Sequence, residues 1–320
     1  MAWDIKQVKK ELCGPTGLVM ATFNEDLSLN VGALKDNIRF MLDEGMKTGR
    51  GCIICPCGTG EYVHLNRAEH AQRVRAALEV TDGKLPVVVG LAGTDVREVV
   101  ELGRQAQKAG AKYAMVPPPY YYDIDQDGIF EWYRILSESL DLGIMAYEQS
   151  WRGDLGTYLG VRLIERLAGL DNLVSLKYGS PSYFQDMIVA LDNWHDRFAF
   201  IDNSLGYTAV VGHMHGATGF ISGPSTWWPE FELKFYQLMT EGKYVEADKW
   251  HARIGPYMEL MSGEYWQGAR FTFQTAVVKA SMEYVGLYGG PLRPPLRALN
   301  AEERKELWAV MERMGVKKIQ

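Results

Sequence analysis

The stretch "NLVSLKYGS" (172–180) sets one lysine, Lys177, inside a run of leucine and β-branched residues. An ammonium in apolar surroundings is expensive unless it is paired or gives up its proton. Two readings are open. Lys177 is a strand-end lysine whose long stem reaches solvent or a carboxylate, or desolvation keeps part of it as a free amine able to attack a ketone and form a Schiff base. Strand alternation separates Val174, Leu176 and Tyr178 from Leu173, Ser175 and Lys177. The bulkier first set suits a layer under helices, which leaves Lys177 pointing inward.

A second stretch, "CPCGTGEY" (55–62), comes after a short apolar run. Gly58 and Gly60 allow close backbone approach, and successive amides together with the Thr59 hydroxyl can form a concave donor site for a carboxylate or phosphate. The competing reading is a plain tight turn. Other signals suggest less. Cys55 and Cys57 share a strand face opposite to Cys52, and no second cysteine or histidine pair accompanies them, so they read as structural thiols. His213 and His215 in "GHMHG" have no carboxylate ligand at a recognisable spacing and read as a loop or helix end. No metal is expected, and a protonated imine supplies its own electron sink.

These residues need a frame. Short apolar runs at 17–23, 51–56, 85–91, 113–119, 143–148, 173–179, 198–203 and 217–223 alternate with amphipathic stretches. Most of these runs end at or beside Gly, Pro or Asn, as buried parallel strands tend to. The spacing predicts helices over 67–83, over 94–110 with a Thr94 cap and Gly110 past its end, over 127–143 and over 157–169. Eight strands separated by helices predict a (βα)8 barrel over 1–240, the eighth helix lying at 229–242. Helical patterns at 243–262, 268–286 and 301–314 predict a C-terminal helical domain over 241–320. The C-terminal ends of barrel strands are where catalytic groups collect, which favours the amine reading of Lys177.

The composition fits an enzyme of small molecules. The 320 residues are 47% hydrophobic and carry a net charge of −6, with no basic block of five or more. That argues against a nucleic-acid partner and requires a local positive site for any anionic substrate. No 18-residue apolar run suggests a membrane span, no secretory pattern opens the chain, and the four cysteines suit a reducing cytoplasm.

The pieces "GTGEYVHLNRAEH" (58–70), 86–121, Tyr147, "NLVSLKYG" (172–179) and "GPLRPPLRALNAEE" (290–303), in this order and spacing, resemble the dihydrodipicolinate synthase / N-acetylneuraminate lyase family of class I Schiff-base lyases over nearly the whole chain. The resemblance implies that Lys177 forms the imine, that Thr59 and Gly60 hold the carboxylate of a 2-oxo acid, and that Tyr147 relays protons. The competing reading of Tyr147 is a packed strand tyrosine. The departures choose among reactions. Where the synthase branch has a relay threonine this chain has Gly58, and its turn resembles the Gly-Gly-Thr-Gly-Glu turn of 5-dehydro-4-deoxyglucarate dehydratases. Strand five ends Tyr147-Glu148-Gln149-Ser150, followed by Arg152 at the spacing of a carboxylate-binding arginine. That arginine can equally be a surface-loop residue, and Glu148 can pair with it or bind substrate hydroxyls.

Among Tyr120, Tyr121 and Tyr122, the resemblance points to Tyr121 as a tyrosine lent across a dimer interface, with an aromatic pocket wall as the alternative. Asn203 and Ser222, ending strands seven and eight, are expected to face the same mouth and bind substrate. The expected activity is dehydration of a deoxy keto sugar acid without cofactor. A pyruvate-dependent aldolase or hydratase-aldolase is the alternative, favoured if Trp151, Trp227 and Trp228 line the pocket. A barrel that binds or regulates, keeping Lys177 as a relic, is the third reading. The resemblance also implies a homotetramer built as a dimer of dimers.

Overall fold

The computed structural model describes residues 3–149, 157–179, 184–262 and 274–319. It contains a closed parallel barrel in which β1 (Gly14–Leu18), β2 (Cys52–Ile54), β3 (Val87–Gly90), β4 (Tyr113–Val116), β5 (Gly143–Tyr147), β6 (Leu173–Tyr178), β7 (Ala199–Asp202) and β8 (Gly219–Phe220) pair in chain order. β8 returns to pair with β1 through Gly14↔Gly219. A short helix α1 (Ile5–Glu11) precedes the barrel. The connecting helices are α2 (Val31–Asp43), α3 (Arg67–Thr81), α4 (Val96–Lys108), α5 (Gln126–Ser139), α6 (Val161–Leu167), α7 (Phe184–Trp194), α8 (Ala209–Met214) and α9 (Pro229–Thr240). Then come α10 (Tyr244–His251), α11 (Gly255–Ser262), α12 (Gln274–Val285) and α13 (Ala301–Arg313). The expected (βα)8 barrel with helices after it is the architecture found.

Both faces of every strand are buried, which is why the strands read as continuous apolar runs. Leu18, Ile54, Val88, Met145 and Ile201 fill the interior, while Ile53, Val89, Ala146 and Leu176 pack under the helices. Two details of the sequence reading need correcting. β1 runs over Gly14–Leu18, three residues before the expected start, because small residues are needed there: a Cβ on Gly17 would come 2.8 Å from Met41 Sδ. In β6 the simple alternation fails at its start, since the register against β5 skips from Leu173 to Ser175. The irregularity turns Val174 inward and Leu173 outward, the reverse of the expected assignment, while Lys177 keeps the inward side.

Several helix starts are set by side-chain caps. Asn66 and Glu69 form a reciprocal capping box at α3, and α4 is capped by Asp95, whose carboxylate accepts the Arg97 amide at 2.9 Å, rather than by Thr94. α1 closes the N-terminal end of the barrel: Val8 and Leu12 join the interior cluster, and Trp3 packs on the Tyr113 ring. Glu11 fastens this plug by accepting hydrogen bonds from Tyr113 Oη at 2.6 Å and Lys112 Nζ at 2.7 Å. With the bottom sealed by α1, the opposite end is the face at which, among the described residues, the strand termini open.

Candidate active site

Lys177 is the fifth residue of β6 and Tyr147 the last of β5, and the two are direct partners in the β5·β6 ladder. Side chains at paired positions emerge on the same face. Both point into the barrel near its C-terminal end, Lys177 only 7% exposed, with its Nζ 3.5 Å from the centroid of the Tyr147 ring. An amine on the ring face is held by the quadrupole of the phenol, which fixes its place without covering it with a carboxylate. Cys57 lies close enough for its thiol to feel the Lys177 charge; burial dominates and pushes that thiol up to about 11. The thiol is therefore a neutral neighbour of the amine near pH 7.

The turn after β2 is held at almost every polar atom. Gly60 N–H donates to Cys57 Sγ at 3.2 Å, and Gly60 C=O accepts Arg73 Nη1 at 2.9 Å. The Thr59 carbonyl accepts the Thr275 hydroxyl at 2.7 Å. A side chain at Gly60 is excluded, since its Cβ would come 2.3 Å from the Val19 carbonyl oxygen. Glu61 adopts the left-handed conformation, φ 60°, uncommon for a residue with a side chain. Its buried carboxylate meets Lys279 Nζ at 2.6 Å and accepts the Arg293 amide at 3.1 Å. Burial draws Lys279 below the ordinary lysine range, and the Glu61 carboxylate opposes that shift. Removing one partner of such a pair typically costs about 3–5 kcal/mol.

This changes the expected anchor. With its amide on Cys57, Gly60 contributes shape, and the polar groups of the turn left without a partner among the described residues include the amide and hydroxyl of Thr59. Gly58 is exposed, and a Cβ there would meet only the Tyr62 ring, at 3.6 Å, so the space beside it is open.

The other expected residues are scattered more widely. Asn203 comes directly after β7, donating its amide to the Tyr178 carbonyl at 3.1 Å, and its buried Nδ2 has no partner among the described residues. Ser222 is turned away from the mouth: it is fully buried and its hydroxyl donates to Glu232 of α9. Tyr121 is 77% exposed, its ring edge-on to Tyr122 at 5.2 Å, so among the described residues it walls no pocket. Glu148 lies behind Tyr147 on the opposite strand face, where its charge is felt by the Tyr158 and Tyr178 phenols, whose deprotonation burial already disfavours most. That placement does not support a role in binding substrate hydroxyls. Arg152 and Trp151 lie outside the described residues. Trp227 and Trp228 stack at 6.0 Å within the cluster that Phe231 and Tyr257 share with the C-terminal helices. His213 packs edge-on against Tyr236, and His215 bonds Asp192 at 2.7 Å. Cys57, by contrast with its expected pairing to Cys55, joins Cys52 in the interior cluster, because β2 ends at Ile54 and strand alternation stops there.

Glu232 was not singled out from the sequence. Burial pushes its carboxyl up to about 8 against the pull of the Ser222 hydrogen bond. The folded state thus holds a proton that the unfolded chain releases near pH ~4.3, so this stabilising contribution is complete below that value and lost as pH rises toward 8. Glu232→Gln keeps the shape without the charge. Its stability relative to wild type should rise between about pH 5 and 8 by up to about 1.4 kcal/mol per unit, read from urea midpoints. A gap independent of pH would show an ordinary carboxyl.

Comparison with known proteins is consistent with this geometry. The model of the dihydrodipicolinate synthetase family matches residues 12–314. A probable 5-dehydro-4-deoxyglucarate dehydratase of Bacillus licheniformis is 28% identical over 315 residues, covering 96% of each chain. A 4-hydroxy-tetrahydrodipicolinate synthase of Methanothrix thermoacetophila is 29% identical over 298 residues, covering 93% of this chain and 95% of its own. Among solved structures, dihydrodipicolinate synthase from Oceanobacillus iheyensis superposes with a TM-score of 0.86 at 25% identity, covering 98% of this chain and all of the other.

Proposed function

This chain belongs to the dihydrodipicolinate synthetase family, and on that premise we propose that it is an imine-forming lyase of 2-oxo acids, a dehydratase of a deoxy keto sugar acid. The observation that carries the reading is the inward Lys177 amine on the face of the Tyr147 ring, both at the open end of the barrel. The amine adds to the C2 carbonyl and water leaves, giving the protonated imine. The imine draws electrons from C3, a C3 proton is lost, and the resulting enamine expels the C4 hydroxyl, which departs as water. Thr59 N–H and Oγ1 receive the C1 carboxylate, and the Tyr147 phenol hands protons between C3 and the leaving oxygen.

Two observations favour dehydration. The open space at Gly58 leaves room for a hydroxylated chain where a threonine would stand, and Trp227 and Trp228 are packed rather than presented to a substrate. The aldolase reading keeps the same enamine, which attacks an aldehyde and forms the C3–C4 bond; the synthase named among the relatives supports it. The exposed Tyr121 fits a contact with a second copy, and a homotetramer is the assembly we expect.

The test is incubation with 5-dehydro-4-deoxyglucarate, followed by proton NMR and carbon dioxide release. Loss of water with the C3–C4 bond intact, giving a single 2-oxo product that keeps six carbons or has lost one as carbon dioxide, supports the dehydratase. Pyruvate together with a separate three-carbon aldehyde acid, and no carbon dioxide, assigns the aldolase, and no conversion of this or other 2-oxo acids would favour the binding barrel.

A further inference from the structure

We propose that Thr275 and Lys279 of α12 are positioning residues for the substrate carboxylate, holding the Thr59 turn at its working height above Lys177. The inference rests on the imine-forming reading and goes beyond it, because it brings a helix after the barrel into the site.

Thr275 and Lys279 stand four residues apart and so share one face of α12. That face meets the turn at two points on either side of Gly60: the Thr275 hydroxyl on the Thr59 carbonyl at 2.7 Å, and Lys279 Nζ on Glu61 Oε1 at 2.6 Å. Thr275, Lys279 and Glu61 are each no more than 2% exposed, so solvent does not loosen either contact. Lys279 is itself fixed by a hydrogen bond to the Pro291 carbonyl at 2.7 Å and by the Phe23 ring, 5.1 Å away. A buried ion pair is weak evidence for stability, since apolar residues can replace it at little loss. Here it has another use: it holds a residue with φ 60° next to the glycine whose carbonyl Arg73 grips. Between the two anchors, Thr59 has its carbonyl engaged and its hydroxyl facing no protein partner among the described residues. A donor displaced by about 1 Å loses much of its value to a bound carboxylate.

The experiment compares two carbonyl compounds that report on different parts of the site. Borohydride trapping of pyruvate needs both the amine and the carboxylate anchor, whereas trapping of acetaldehyde needs the amine alone. Thr275→Val, close to isosteric, should raise the half-saturating pyruvate concentration about tenfold and leave acetaldehyde trapping within twofold. Thr275→Ser, which keeps the hydroxyl, should restore the pyruvate value. The double variant Glu61→Gln/Lys279→Met removes both buried charges together and should show the same selective loss, with folding checked by thermal melting. Unchanged pyruvate saturation in folded Thr275→Val, or an equal loss for both compounds, overturns the positioning role. Failure of the wild type to trap pyruvate overturns the imine reading instead, so the two failures are distinguishable.

Discussion

Lys177→Met will leave no covalent adduct when the protein is treated with pyruvate and borohydride and weighed intact, and turnover of a 2-oxo acid will fall by roughly 10⁴-fold or more. The substitution keeps an unbranched side chain against the Tyr147 ring, so the interior stays filled. It removes the nitrogen proposed to join C2. Lys112 serves as the control: it sits at the sealed end of the barrel, paired with Glu11, and Lys112→Met should trap as wild type does. An adduct that survives in Lys177→Met would place the chemistry on another amine and dismantle the mechanism.

Tyr147→Phe should separate imine formation from the later proton transfers. The phenylalanine keeps the ring beneath Nζ, so trapping with pyruvate should stay within about tenfold of wild type. Proton transfer loses its carrier, and turnover should drop by about 10²–10⁴-fold. Single-turnover rates and trapping measured on one preparation give both quantities. A drop in turnover smaller than tenfold would return Tyr147 to a packing role.

The barrel was readable because its strands are buried on both faces and its helices are amphipathic, so each element carried its own periodicity. What failed was local. Gly14 to Gly17 form a strand with hardly an apolar side chain, since neighbours crowd that position, and no hydrophobic pattern reveals it. The irregularity in β6 inverted two residues while leaving Lys177 in place, because it falls before Ser175. Thr94 and Asp95 are both able to cap, and only the geometry of the turn selects the aspartate.

The candidate site divides in the same way. Lys177 stood out as a lone ammonium in an apolar run, and its position came from strand order. The same cue was present in "AVVKAS" (276–281), where Lys279 sits among small apolar residues, yet a helix ordinarily carries lysines on its wet face. Its partner Glu61 is visible only once the chain has folded back. Ser222 was misjudged because strand ends point alternately inward and outward, and its side faces α9. Gly60 kept its place, but its amide had already been claimed by a sulfur just past an interrupted strand.

A hydroxyl and a carbonyl 216 positions apart in the chain meet at the Thr59 turn. Whatever loosens α12 from the barrel therefore loosens that turn as well, while β5 and β6 keep Tyr147 and Lys177 side by side through their own pairing. Mild denaturant should accordingly melt the turn's grip before it parts the two strands, a separation that amide exchange at Gly60 and at Ala146 would read.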